Sequence, residues 1–189
     1  MIIPTRLLRA ALVCVAKNDA RYYLEGVHIT SKYIEATNGH VAVRMEHGIK
    51  TRRNIIVKFC GNVPAKAETT ELVFKRDPIA VHRDINNMRV GFTALELLDG
   101  RFPDLGRIIP QSTETGAIPI IQGAILSYPE KMFKSSGRSF IPVKLAPSGL
   151  ESACRFLFDN HINATYGNPQ FIAMPCRANA MDVVKEILG

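Results

Sequence analysis

Three short strings, set about as far apart as the turns of a small β-rich domain, limit what this 189-residue chain can fold into. They are Arg21-Tyr22-Tyr23-Leu24-Glu25-Gly26, Ala36-Thr37-Asn38-Gly39-His40-Val41-Ala42-Val43, and the run from Asp99 through Gly100-Arg101-Phe102-Pro103-Asp104 to Ile108-Ile109-Pro110. Asn38-Gly39 between apolar flanks is a tight-turn dipeptide, so the segments on either side are expected to pair antiparallel. Pro103 and Pro110 fix φ and remove backbone donors, so residues 100–110 read as an extended connector without regular structure. None of the three strings has the chemistry of a catalytic centre.

Around these strings the elements fall into an order. Residues 5–16 read as a helix with Thr5 as N-cap; Leu8, Leu12 and Val15 share one face, Arg6 and Arg9 another. Alternation predicts a strand over 22–30, two strands over 33–46 and one over 54–59. Residues 60–70, with Gly, Pro and Ala, are loop-like. Short strands over 71–76, 79–83 and 88–97 make a meander. A second helix is predicted over 120–135, kinked or restarted at Pro129. Strands follow at 140–145, 153–158, 162–166 and 170–174, with Gly167-Asn168-Pro169 turning between the last two. Residues 180–188 read as a short amphipathic helix with Met181, Val184, Ile187 and Leu188 on its apolar stripe. Strands following strands imply antiparallel sheets and an α+β class, with helix–strand units repeated.

Size and charge narrow the partners. A chain that is 47% hydrophobic at this length builds one ample domain or two small ones. Of the formal net charge of +7, nearly all sits in residues 1–108, with seventeen Lys and Arg against eleven Asp and Glu; residues 109–189 hold seven against six. Such a balance suits an anionic partner, DNA first among them. Cys14, Cys60, Cys154 and Cys176 form no CxxC pair and have no nearby His at zinc-like spacing, so neither a disulfide frame, a structural metal nor a cofactor is expected. A reducing cytoplasm is the expected compartment. Arg6 and Arg9 interrupt what would be a signal peptide's apolar stretch, and no apolar run is long enough to span a membrane.

Together the three strings resemble the middle domain of the bacterial DNA polymerase III β sliding clamp, the ring that tethers a polymerase to duplex DNA. The resemblance covers about residues 5–110, and the Asp99–Pro110 string is its most specific part. The segment Gln170-Phe-Ile-Ala-Met-Pro-Cys-Arg177 is similar to the one that closes the clamp's last domain. The resemblance therefore implies a DNA-clamp fold with a middle-domain-like block at 1–110, a reduced last-domain-like block at 111–177 and a tail helix at 178–189. Three departures stand out. The chain is about half a usual subunit of three similar domains, the loop at 60–70 replaces a second helix, and residues 178–189 continue past the family's usual end.

What the resemblance implies about function is a non-enzymatic processivity factor. It would encircle duplex DNA without reading sequence, as an oligomeric ring for which a homotrimer is favoured, and would be cytoplasmic and nucleoid-associated. DNA-facing residues would be Arg6, Arg9, Lys17 and Asn18 on and after the first helix, with Lys131, Lys134 and Arg138 on the second. Polymerase and clamp-loader peptides would enter a cleft built from Arg21, Tyr23, Leu24, Thr37, Gly39, His40, Val41, Pro110, Ile172, Met174, Pro175, Cys176 and Arg177. Val41 stands where the family often has Arg, and Cys176 where it often has Met. The alternative is a clamp-derived adaptor or decoy that binds such peptides without encircling DNA. A small hydrolase or transferase built on His40 is disfavoured, because no nucleophile motif, paired carboxylates or phosphate loop accompanies that histidine.

Overall fold

Alternating apolar and polar residues run through most of the first hundred positions, and the chain pairs them antiparallel throughout. The structure, a computed structural model, describes residues 1–182. Its strands are β1 (Ile2–Pro4), β2 (Val27–Ile29), β3 (Tyr33–Thr37), β4 (Val41–Glu46), β5 (Ile55–Phe59), β6 (Thr69–Val73), β7 (Ile79–Arg83), β8 (Arg89–Leu98), β9 (Lys144–Ala146), β10 (Cys154–Leu157) and β11 (Gln170–Ala173). They form one 11-stranded sheet in the order β1-β6-β7-β8-β5-β2-β3-β4-β11-β10-β9. Strands from the two ends of the chain meet at β4–β11, where Val41 pairs with Ala173 and Arg44 with Gln170.

Among the described residues five short α-helices accompany the sheet: α1 (Thr5–Leu12), α2 (Leu105–Ile108), α3 (Gly123–Leu126), α4 (Tyr128–Met132) and α5 (Asn160–Thr165). Helices α1 and α4 pack on one another, and α1 lies on β2, β3 and β4. Leu7, Leu8 and Ala11 bury themselves there against Val27, Ile29, Ile34, Ala36, Val43, Met45 and Phe133. Each large side chain so buried contributes about 2 kcal/mol of hydrophobic stabilisation. The opposite sheet face carries the alternate residues His28, Glu35, Ala42, Arg44, Arg155 and Ile172. Residues 99–110 cross it as a strap: Phe102 stacks on the His28 ring with centroids 4.6 Å apart, and Leu105 and Ile109 are buried with Leu24, Ala42, Ile56 and Ile172.

Several sequence expectations need correction. Helix α1 ends at Leu12 because β-branched Val13 and Val15 follow it, and Thr5 is its first residue, not its cap. Pro4 holds the cap position, and the Thr5 hydroxyl lies 2.8 Å from that of Thr70. Tyr22–Glu25 is a single 3-10 turn that buries Leu24, not the start of a strand. The 100–110 connector contains α2, capped by the Asp104 carboxylate, which accepts from the Gly106 amide at 3.0 Å. The helix expected over 120–135 is broken at Ser127 into α3 and α4, with Pro129 in the first turn of the second. Residues 162–166 are helical, because Asp159 caps α5 by accepting from the Ile162 amide at 2.9 Å. The strand expected over 140–145 begins only at Lys144. Most of the expected 180–188 helix, including Val184, Ile187 and Leu188, lies outside the described residues. No helix among the described residues is long and apolar enough to cross a membrane.

Candidate functional site

The Ala36–Val43 string builds the first wall of a groove on the strap face. The Thr37 hydroxyl donates to the Val41 carbonyl at 2.7 Å and accepts from the Gly39 amide. The Asn38 side-chain oxygen accepts from the His40 and Val41 amides. These side-chain bonds satisfy the turn locally. Gly39 sits at φ 89°, a left-handed backbone conformation that favours glycine, and a Cβ there would also displace the end of the Arg21 side chain. The Asn38 amide also donates to the Tyr128 hydroxyl at 3.1 Å, tying the turn to α4.

The second wall arrives from the far end of the chain. The Met174 amide donates to the His40 carbonyl at 2.8 Å, extending the β4–β11 ladder by one bond into the turn. The result is a hollow of about 310 Å³ lined by Arg21, Leu24, Thr37, Gly39, His40, Val41, Ala42, Pro103, Leu105, Ile108, Ile172 and Met174. Its floor is apolar. Leu24, Val41 and Ile172 are buried, whereas Met174 is 40% exposed and His40 is open to solvent. Arg21 stands at the rim, held by the Asp19 carboxylate, which accepts its Nη2 at 2.8 Å. Those Arg21 hydrogen bonds hold the Asp19 carboxyl down at about 2, so the pair stays ionised across the physiological range.

The structure thus brings together eight of the thirteen expected cleft residues: Arg21, Leu24, Thr37, Gly39, His40, Val41, Ile172 and Met174. The other five lie elsewhere. Tyr23 packs against Gly100 and braces the start of the strap. Pro110 lines a separate hollow at the strap's far end. Pro175 and Cys176 are half-buried beyond the groove, the Cys176 amide donating to the Ile120 carbonyl at 2.7 Å, and Arg177 is exposed. Four lining residues were not anticipated: Ala42, Pro103, Leu105 and Ile108. The last three share the quoted Asp99–Pro110 string, where the Asp104 cap followed by Leu105 and Ile108 three apart marks a short amphipathic turn.

On the opposite, helix-bearing face the expected cations sort into two kinds. Arg6 donates through Nε to the Thr165 carbonyl at 2.9 Å, and the Arg9 guanidinium reaches the carbonyls of Pro64, Ala65 and Ala67. Both are half-buried and hold neighbouring segments, Arg9 pinning the loop at Pro64 to Ala67. Lys17, Asn18, Lys131, Lys134 and Arg138 are exposed. Lys17 and Lys131 line one hollow between the end of α1 and α4, and Lys131, Lys134 and Arg138 line the next. Arg138 also pairs with Asp159.

Beneath Arg9 lies a buried polar chain. The His82 ring is hydrogen-bonded to the Thr70 and Thr93 hydroxyls, both at 2.9 Å, and the Thr93 hydroxyl donates to the Asn62 carbonyl. Burial, assisted by the nearby Arg9 charge, pushes the His82 pKa down and keeps the ring neutral. A second buried group lies under the strap, where Glu35 accepts from Arg44 Nε at 2.5 Å and pairs with His28 Nδ1 at 2.7 Å.

A continuous antiparallel sheet with short helices on one face and a strapped groove on the other defines the DNA-clamp fold. Known proteins bear this out. No protein-family model matches the chain. The β sliding clamp of Haemophilus influenzae is 30% identical over 134 residues, which cover 62% of this chain and 33% of that protein. The DNA polymerase III subunit beta of Pseudomonas aeruginosa superposes with a TM-score of 0.57 at 16% identity, covering 94% of this chain and 66% of that one. A putative DNA polymerase III beta subunit of Eubacterium rectale does so with a TM-score of 0.60 at 9% identity, covering 95% and 66%. The chain therefore has the fold of the β sliding clamps and is similar in sequence to one of them, spanning about a third of the length of that curated relative.

Proposed function

We propose that the protein is a non-enzymatic processivity factor whose groove receives short apolar peptides of polymerases and clamp loaders. The single observation behind this reading is the groove itself, in which residues 21–42, 103–108 and 172–174 converge on one apolar floor with a polar rim. Such a hollow suits one or two apolar anchors, with Arg21 and His40 orienting the peptide backbone. The cations Lys17, Lys131, Lys134 and Arg138 on the opposite face supply the sequence-blind attraction that sliding on DNA demands, with Asn18 beside them. Peptide and duplex then occupy opposite faces and do not compete. In this reading residues 1–110 and 111–177 are two clamp-domain-like blocks, three chains close a ring, and the protein works in the cytoplasm on the nucleoid.

Fluorescence anisotropy with labelled apolar peptides tests the groove: binding that Met174→Glu abolishes supports it, and binding indifferent to that change overturns it. Light scattering tests the ring, which a monomer at micromolar concentration rules out. One observation favours the second reading, an adaptor that binds peptides without encircling DNA: Arg6 and Arg9 are engaged within the chain, and Arg9 holds a loop where a second DNA-facing helix is expected. Retention on circular but not linear duplex distinguishes the clamp from the adaptor.

A further inference from the structure

A second hollow, of about 420 Å³, opens just beyond the strap's end, where strap residues Ile109 to Gln111, strands β10 and β11 and Asn163 of α5 meet. It is contiguous with the groove: Ile108 lines the groove and Ile109 the second hollow, while on β11 Ile172 lines the first and Gln170 the second. Two residues along a strand span about 7 Å, so an extended peptide lying in the groove reaches the second hollow within a few residues.

The chemistry of this hollow differs from that of the groove. Among the described residues, Arg155 is the one ionisable residue lining it, beside the side-chain amides of Gln111, Asn163, Asn168 and Gln170. Arg155 Nη2 donates to the Thr113 hydroxyl at 2.8 Å. Its Nε is buried without a hydrogen-bond partner, alone in this among the buried side-chain nitrogens and oxygens of the described residues. A buried cationic donor left unpaired is costly, and a carboxylate is the group that relieves it best, because the guanidinium edge offers two parallel N–H groups to two oxygens. Since Nε is covered, a ligand reaches it only when the guanidinium turns about its last torsions, which releases Thr113.

We infer that this hollow is an acidic-residue subsite, in which Arg155 pairs with a carboxylate carried a few residues from the apolar anchor of the peptide in the groove. The inference rests on the groove reading given above. Peptide carboxylate is favoured over DNA phosphate as the anion because Arg155 shares the strap face with Ile172 of the groove, whereas Lys17, Lys131 and Lys134 line other hollows on the helix face. Arg155 therefore acts as a specificity residue: it selects among apolar peptides by their flanking charge.

The test uses fluorescein-labelled decapeptides with a central Leu-Leu anchor and one Glu at each flanking position in turn, beside the matching Gln peptides. Wild-type protein is expected to bind one Glu peptide roughly tenfold tighter than its Gln counterpart. Arg155→Gln should bind both members of that pair equally, at the wild-type affinity for the Gln peptide. A readout on the wild type needs no variant: the Arg155 Nε–H proton resonance should move downfield with the Glu peptide and stay in place with the Gln peptide. If the peptides bind and no Glu position is preferred, the subsite fails and the groove stands. If no peptide binds, or Leu24→Asp binds as well as wild type, the groove reading and this inference fall together. Duplex DNA that displaces the Glu peptide from wild-type protein would assign Arg155 to phosphate instead and overturn the inference.

Discussion

The two faces of the sheet are built on opposite plans. On the helix face Leu7, Leu8 and Ala11 of α1 and Met132 and Phe133 of the α4 region close over Val27, Ile29, Ile34, Ala36 and Val43 with apolar contacts, and the hollows there lie among the helices' outer side chains. The strap face is covered by a single irregular segment, and it buries charge as well as carbon. Glu35, 2% exposed, lies between Arg44 and His28, and Phe102 lies over His28. Because one strap cannot cover a twisted sheet, it leaves hollows along its sides and beyond its end. The difference teaches that the core under the helices is built chiefly of carbon, whereas the strap covers an ion-paired carboxylate and leaves the groove in which recognition is proposed.

That contrast can be broken most directly in the helix-face core. Phe133→Ala removes a fully buried ring packed against Phe158 and Tyr166 and should cost about 4 kcal/mol in urea unfolding, through lost burial and the cavity left behind. A loss below about 1 kcal/mol would mean that the core under the helices is not closely packed. On the strap face, Glu35→Ala leaves Arg44 and His28 without their shared carboxylate and should cost about 3 kcal/mol, with Glu35→Gln recovering part of it. An equally stable Glu35→Ala protein would show that the strap holds without its buried charge.

Met174→Glu sharpens the comparison from the functional side. Met174 is 40% exposed, so stability should change by less than about 0.5 kcal/mol while affinity for an apolar peptide falls at least about tenfold. Anisotropy titration and thermal melting on the same sample separate the two effects. His82 is the polar exception on the helix side. Its folded pKa lies below its ordinary value, so the unfolded chain takes up a proton first as pH falls. Stability should therefore hold above about pH 6.5 and decline below it, until the folded ring itself titrates. A His82→Gln variant should lose part of that dependence in unfolding curves at pH 7.5 and 5.5. The smallest effects belong to the exposed cations. Lys17→Ala and Lys131→Ala should leave stability unchanged and lower the salt slope of duplex binding by about one each. An unaltered slope would favour the adaptor.

Much of the fold was legible in local chemistry. The Asn38-Gly39 signal marks a real turn, and β3, β4, β5 and β7 follow the alternation around it to within a residue or so. Where reading failed, a local bond outweighed a pattern. Ile162–Tyr166 alternates like a strand, but the Asp159 cap offers the backbone its helical bonds first. Tyr22–Glu25 alternates too, yet its backbone turns so that Leu24 can be buried beside Ala16, whose amide donates to the Leu24 carbonyl. The helix expected over 120–135 carried its own break, since the proline at 129 tolerates only the first turn of a new helix.

What the chain determined by itself is whatever depends on neighbours a few residues apart: turns, caps, strand periods and the apolar composition of each string. Only the tertiary structure decided what faces what. Alternation specifies which residues share a side of a strand, and leaves open which strand lies alongside. The pairing of β4 with β11 is what sets Met174 beside His40 and turns two apolar stretches into one groove. The same long-range choice spends Arg6 and Arg9 on partners far away in the chain, leaving Lys17 and Lys131 to face solvent. It also buries Arg155 Nε where no acceptor awaits it.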